Sequence, residues 1–450
     1  MKKIITAIIL YLLLGFVSVV CAKSVIISSL KELSSYAHTD GNKIRLKPGI
    51  YKISDFLTAD SIAAKLERKD FQYFNFRGNN NYFDLRGVEF EIDTKLRELL
   101  KYPIHTNEII ISGNGNTFVG LNIRCIGDGL SPGGATLEVS GENNTIKDFK
   151  LWVKGSFPYG YGDLFGKGGP DVISHKKQSG FLVTGSYTNI YRCKLFMQSF
   201  GHGFFIQKDA GNIYFEDCYV EGNVRSTDDV LAETSGPAFD VKFRTWTPNR
   251  EGEYIVTPGY MKSLCEDGFR TYGQNKNIRF KNCTAKNTRG GFELRTNGGV
   301  DLDGCEVIGV ERGFWFGNNA IAKNCKGDAM YGPLLFLEGS NTDIEIEVLS
   351  RESDRKVHAL ATIQGNNNKV ILKSEQGKQR MQSLPILVGY THPEHGEAMS
   401  PYGFGACSNL ELYNSTNMPI VISDHTNDCS VHTNSVVEDG GTNNIIKYLK

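Results

Sequence analysis

The sequence predicts an all-β chain, a single-stranded parallel β-helix (a solenoid) with an N-terminal cap and lateral loop insertions. Three observations carry this. First, five strand-like segments, YRC, FEDC, FKNC, LDGC and AKNC, end in Cys193, Cys218, Cys283, Cys305 and Cys325, with gaps of 25, 65, 22 and 20 residues. Second, a Gly-Phe column runs in phase with them: Gly180-Phe181, Gly203-Phe204, Gly268-Phe269, Gly291-Phe292 and Gly313-Phe314, with gaps of 23, 65, 23 and 22. Third, the segments open on Gly or Asn and then alternate apolar and polar residues, the period of a strand with one buried face. Repetition at the length of one coil marks a solenoid, and strand-like repeats make it a β-helix.

The elements follow in chain order. Lys2 and Lys3 precede an apolar run from Ile4 to Val20, ending in Cys21-Ala22-Lys23. This reads as a signal peptide over residues 1–22, cleaved after Ala22, and predicts a secreted or periplasmic protein. Cys21 raises a lipid anchor, but Val20 before it is not the small residue that an anchor signal carries. No later segment is apolar enough to span a bilayer. Residues 23–107 are expected to hold the capping coil and an insertion. "SLKELSSYAHTDGNKIRLKPGIY" gives a short amphipathic helix, a turn at Asp40-Gly41 and a strand, while residues 61–105 are charged and partly helical. A cap is needed because an open apolar end aggregates. The β-helix proper is expected over 108–450, in ten to twelve coils. Asn and Gly supply the positive φ values that let each coil turn sharply.

Three stretches break the period: 154–178, 222–264 and 381–405. The second accounts for the 65-residue gaps, since 65 minus a 23-residue coil leaves 42. Insertions in a solenoid become loops on one face, often the binding face.

Composition narrows the function. The chain has 450 residues, 50 basic and 50 acidic, and net charge zero. Without a basic run, nothing points to nucleic acid. Removing the signal leaves nine cysteines, an odd number spaced at the solenoid period. Stacked buried thiols fit that spacing better than a disulfide framework. No CxxC pair occurs, and the CxxH at Cys429 and His432 stands alone. Sequons at Asn143, Asn282 and Asn414 are the kind that arise by chance in Asn- and Thr-rich turns.

Register narrows the site. In the strand after each Gly, Phe and the second residue beyond it point inward. Leu182, Phe205, Arg270, Glu293 and Trp315 then point outward, beside Thr184, Gln207, Tyr272 and Arg295. Ser179, His202, Asp267, Gly290 and Arg312 lie at the adjoining turn. Parallel strands stack about 4.8 Å apart, so His202, Asp267, Arg270, Tyr272, Glu293, Arg295 and Arg312 should share one solvent-facing surface. The 222–264 insertion is expected to bring Asp228, Asp229, Asp240 and Lys242 to it. Tyr159, Tyr161 and Trp315 offer flat faces for sugar rings.

This mixture suits a polysaccharide. On a uronide, arginines would neutralise the carboxylate, and a Tyr, His, Lys or Arg would remove the C5 proton. A hydrolase needs two flanking carboxylates, for which Asp228 or Asp229 with Asp267 or Glu293 could serve. The plainer reading of any one of these charges is a solubilising ladder on the outside of a β-helix. Likewise Asp228-Asp229 could cap a helix, His202 could be a turn residue, and His392 and His395 could be incidental loop histidines.

The capping entry "GNKIRLKPGIY", the Asn/Gly-led coils and the ladder columns resemble the pectate-lyase-like superfamily of right-handed parallel β-helices over roughly residues 24–440. The resemblance implies a right-handed helix. Its members include pectate, alginate and chondroitin lyases, polygalacturonases and other glycosidases, and non-catalytic surface proteins. Polygalacturonases carry an Asp-Asp pair and a Gly-His-Gly. Both strings occur here, as Asp228-Asp229 and Gly201-His202-Gly203, but in reversed order. Calcium-dependent members cluster Asp on adjacent coils, whereas Asp163, Asp171 and Asp228 are dispersed. The expectation is a secreted, monomeric, polysaccharide-active protein: first a lyase on a uronic-acid polymer, next a glycoside hydrolase, then a glycan-binding or structural protein.

Overall fold

The computed structural model describes residues 24–101, 103–169, 171–349, 358–374, 383–392 and 402–449. The signal segment, with Cys21, and His395 lie outside the described residues. The chain winds into a right-handed parallel β-helix. One face is a sheet of thirteen parallel strands, running from Phe74–Phe76 through Phe204–Ile206, Phe269–Thr271, Gly290–Leu294 and Arg312–Phe316 to Val437–Asp439. Twelve of the thirteen, from Thr106–Ile111 onward, fall in the span where ten to twelve coils were expected. Two further stacks of parallel strands form the other faces. One begins at Ser24–Ile27 and the other at Gly49–Lys52, and they merge in the ten-residue strand Ala320–Ala329.

Stacking starts earlier than residue 108. Lys43–Leu46 already pairs with Tyr82–Asp84, and Gly49–Lys52 with Val88–Asp93. The helix Leu30–Ala37 closes the N-terminal end with Leu30, Leu33 and Ala37 buried. Ser29 caps it by accepting from the Glu32 amide, and Glu32 accepts in turn from the Ser28 amide at 3.1 Å, two orphan donors satisfied together.

The core explains the repeat. Phe204 stacks on Phe269 at 5.1 Å, Phe269 on Phe292 at 4.6 Å and Phe292 on Phe314 at 5.5 Å. The glycine before each Phe is required by close approach. A Cβ on Gly203 would lie 2.6 Å from Val220 and 2.7 Å from the Gly268 carbonyl. Buried asparagines hold the early turns: the Asn81 amide donates to Asn116 Oδ1, and the Asn116 amide to Asn144 Oδ1. Asn143, Asn282 and Asn324 adopt the left-handed backbone expected of turn asparagines.

All nine described cysteines are buried free thiols. Titration of thiols under denaturing, non-reducing conditions should therefore find the five column cysteines reduced. Recovery of most of them as disulfides would contradict the stacked arrangement.

The insertions build the rest. Segments 154–178 and 222–264 pack on each other around Tyr161, Leu164, Phe165, Val230, Ala238 and Val256. The longer one leaves and rejoins the solenoid through an antiparallel pair, Val224–Ser226 with Met261–Ser263. The third forms the pairing Tyr390–Thr391 with Gly403–Phe404.

Candidate functional site

The predicted ladder is present in register. Phe205, Arg270, Glu293 and Trp315 are direct neighbours on successive strands of the thirteen-stranded sheet, and Gly290 pairs with Arg312. His202, Asp267, Arg270, Tyr272, Glu293, Arg295 and Arg312 do come together. They are not, however, a solvent-facing patch. Asp267 is fully buried, Glu293 is 2% exposed and Arg312 4%, because the insertions lie over this stretch of sheet. Arg295 alone of the charged ladder keeps substantial exposure, 40% of its side chain.

What the cover protects is a zipper of charge. Six carboxylates, Asp163, Glu266, Asp267, Glu293, Glu311 and Glu338, meet six basic side chains, Lys177, Lys262, Arg270, Arg289, Arg295 and Arg312. Arg289 is the hub: it lies 3.4 Å from Asp163, 3.4 Å from Glu266 and 3.2 Å from Asp267. Lys262 joins Asp163 to Glu311. Arg270 sits between Asp267 and Glu293, and Arg312 reaches Glu293 at 2.8 Å. Burial alone would raise the Glu266 carboxyl, but His202, Lys177 and Arg289 outweigh it and hold it at about 2. Asp267 is likewise pulled well below the usual carboxylate range, against its burial, by Arg289, His202 and Arg270.

At the edge of this zipper the imidazole of His202 is clamped. Its Nδ1 lies 3.3 Å from Asp267 Oδ2, and its Nε2 lies 3.2 Å from the Tyr272 hydroxyl and 3.6 Å from Glu266. With the proton on Nδ1, against the carboxylate, Nε2 accepts from the phenol. Burial pushes the Tyr272 phenol above its ordinary value, opposed in part by Arg270, whose guanidinium lies 5.0 Å from the ring centre.

His202 and Tyr272 open into a cleft of about 330 Å³. Its floor is apolar, formed by Leu182 and Phe205. Lys167, Lys176, Lys177 and Lys208 line its walls, with His105 and His175; no carboxylate is among the described residues lining it. An apolar floor with a cationic rim accepts the flat face of a sugar and an anionic substituent.

Several predicted residues lie elsewhere. Asp228 and Asp229 sit in the first turn of a short helix, Thr227–Leu231, capped by Ser226. Asp228 accepts from the Gly259 amide, an internal bond of the insertion. Tyr161 is core to the insertion module and donates to Glu233 at 2.9 Å, and Tyr159 accepts from Asn223. Lys242 follows the helix Pro237–Asp240 on the module's exposed side. None of the five lines the cleft. The reason is that these five residues belong to the parts of the insertions that pack on one another, while Asp163, Lys177 and Lys262 are the insertion charges that reach the coils. Trp315 is also no sugar platform. It is 2% exposed, between Arg295 at 4.4 Å and His392 at 4.7 Å.

Glu266, Arg289, Glu311, Lys177 and Asp163 went unread as site residues. Glu266, Arg289 and Glu311 each stand two residues before the column glycine, acid, base, acid on successive coils. That alternation was the available signal.

Calcium does not fit this site. The cleft walls offer it no carboxylate, and each of the six nearby carboxylates already faces a Lys or Arg. Among the described residues no group of three or more His, Cys, Asp or Glu is arranged to hold a metal.

No protein-family model matches the chain, and no curated protein does. Solved structures do. One is a PL6 alginate lyase in complex with a trisaccharide, at TM-score 0.51 and 9% identity, covering 94% of this chain and 87% of that one. Another is a mannuronic acid specific polysaccharide family 6 lyase from human gut microbiota, at TM-score 0.47 and 8% identity, covering 95% and 82%. A third is the catalytic domain of a GH87 α-1,3-glucanase in complex with nigerose, at TM-score 0.41 and 11% identity, covering 94% and 69%.

Proposed function

We propose that this chain, which has the right-handed parallel β-helix fold of the pectate-lyase-like superfamily, is a polysaccharide lyase that cleaves a uronate-containing polymer by β-elimination. One observation carries the reading: a Tyr272–His202 pair, buttressed by buried carboxylates, opens into a lysine-lined cleft that has no carboxylate among its described lining residues.

The chemistry follows from the atoms. Lysines on the walls offset the substrate carboxylate, which makes the adjacent C5 proton more acidic. His202 accepts that proton at Nε2, and Asp267 and Glu266 stabilise the imidazolium formed. The C5–H and C4–O bonds break and a C4=C5 double bond forms. Tyr272, kept protonated by its raised pKa, donates to the leaving oxygen. The proton on His202 then crosses the 3.2 Å contact to the phenolate, and the pair returns to its starting state.

Hydrolysis fits less well. It needs a carboxylic acid held above its ordinary pKa beside a second carboxylate. Glu266 and Asp267 are held below theirs; Glu311, whose carboxyl burial raises, is tied to Lys262 and does not line the cleft; and Asp228-Asp229 belongs to the insertion. The fold match to an alginate lyase bound to a trisaccharide agrees with elimination. The apolar run after Lys2 and Lys3 supports secretion, where such polymers are met.

The test is incubation of the mature protein with a panel of uronides. A lyase yields an unsaturated, ultraviolet-absorbing product. Reducing ends without absorbance would establish a hydrolase, and neither product a binder. The lysine walls add a salt prediction: KM should rise severalfold between 0.1 and 1 M salt, as the screening length falls from about 10 to about 3 Å. A KM that ignores salt would remove the lysines from substrate binding.

A further inference from the structure

Resting on the lyase reading, we propose that the first two insertions build a second sugar site, which holds a uronate residue of the same polymer away from the reacting pair. A cavity of about 470 Å³ lies between them, with Asp171 from the first and Arg244, Trp246 and Tyr254 from the second on its walls. That size is within the range of ligand sites. None of these four residues lines the cleft.

Local structure explains why they converge. Lys242 and Phe243 both take left-handed backbone, with φ of 54° and 57°, a conformation rare for a bulky aromatic. The reversal brings Arg244 to the cavity. The Thr245 amide donates to the Tyr254 carbonyl at 3.3 Å, which sets Tyr254 beside Arg244 and Trp246. Trp246 is fixed to the first insertion: its amide donates to the Leu164 carbonyl, and its Nε1 to the Asp163 carbonyl at 2.6 Å.

The chemistry of the walls matches a uronate residue. Arg244 is exposed and makes no ion pair among the described residues, so its guanidinium is free to take a carboxylate in a fork. Tyr254, 51% exposed, and half-buried Trp246 supply ring surface for the apolar side of a sugar. Asp171 accepts from the Lys167 amide at 2.8 Å and keeps lone pairs for sugar hydroxyls.

The cavity also adjoins the cleft. Lys167 lines the cleft, yet its ammonium lies 5.0 Å from the centre of the Trp246 ring and its amide binds Asp171. One residue is therefore the wall shared by both sites. A polymer held at His202 and Tyr272 crosses Lys167 to reach Arg244, on loops of the kind that carry binding in a rigid scaffold.

The experiment compares the parent with Arg244→Ala and Tyr254→Ala on uronide oligomers of increasing length. Both side chains are exposed, so melting temperatures should stay parental. KM for long chains should rise about two- to tenfold, the worth of one aromatic contact, while kcat and the KM for a disaccharide stay unchanged. Arg244→Glu should weaken long-chain binding further than Arg244→Ala; equal weakening would overturn the carboxylate contact. Effects equal at all lengths, or none at any, would overturn the second site, and the absorbing product would leave the lyase reading intact. If the parent yields no absorbing product, the lyase reading falls by itself. Retardation in native gels cast with each polymer of the uronide panel then decides the site. Less retardation of Tyr254→Ala than of the parent supports it, and equal retardation overturns it.

Discussion

Replacing Tyr272 by Phe should lower kcat by roughly 10²–10⁴-fold, the usual worth of a positioned general acid or base. The ring stays against Phe205 and Leu182, and only the hydroxyl facing His202 is lost. Stability should fall by no more than about 0.5–1.5 kcal/mol, one hydrogen bond. His202→Ala should cost a similar factor, and the double variant little more than either single one, since the two groups act as a unit. The raised phenol pKa adds a pH prediction. Tyr272 acts as a protonated donor, so on the alkaline side activity is lost only as pH rises through a pKa above the ordinary tyrosine value of about 10. An alkaline limb that sets in before about pH 9, or Tyr272→Phe with near-parental kcat, would place the chemistry elsewhere.

The second large effect concerns Arg289. Arg289→Met removes the cation shared by Asp163, Glu266 and Asp267 and leaves buried carboxylates under-compensated. Breaking a buried ion pair from one side costs about 3–5 kcal/mol, so denaturant unfolding should show a loss of that order. Arg295→Ala, at the exposed end of the zipper, should stay within about 0.5 kcal/mol. Equal effects at the two arginines would mean that the zipper is not the anchor it looks to be. Acid should act on the same feature. The folded-state pKa of Glu266 is depressed to about 2. Its contribution is therefore fully present above the unfolded value of about 4.3 and is lost as pH falls from there through about 2. Unfolding in that window should be steeper in the parent than in Glu266→Gln.

Side-chain direction is legible in the sequence where a residue's surroundings repeat and is lost where they do not. Phe204, Phe269 and Phe292 could be placed because each rung presents the same slot, so spacing alone gives the direction of every side chain. That His202, Asp267, Arg270 and Tyr272 lie together was legible for that reason. Burial was not legible. Whether Glu293 meets water depends on where residues 154–178 and 222–264 fold, and those segments have no period. The same lack misplaced Asp228, Asp229, Tyr159, Tyr161 and Lys242. Local chemistry explained the first two better, since Ser226 with Asp228 and Asp229 is a helix N-terminus.

The Asp163–Arg289 bond closes a span of 126 residues, while neighbouring rungs are 20 to 25 residues apart in the cysteine column outside the large insertion. Closing the longer loop costs about 1.5 kcal/mol more chain entropy than closing one rung. Rungs therefore zip onto their neighbours quickly, and the long-range bond forms after them. During synthesis, Asp163 waits for Arg289 to emerge. His202 gains its settled carboxylate partners only then, so the rungs on the N-terminal side stand before the charge zipper closes across them.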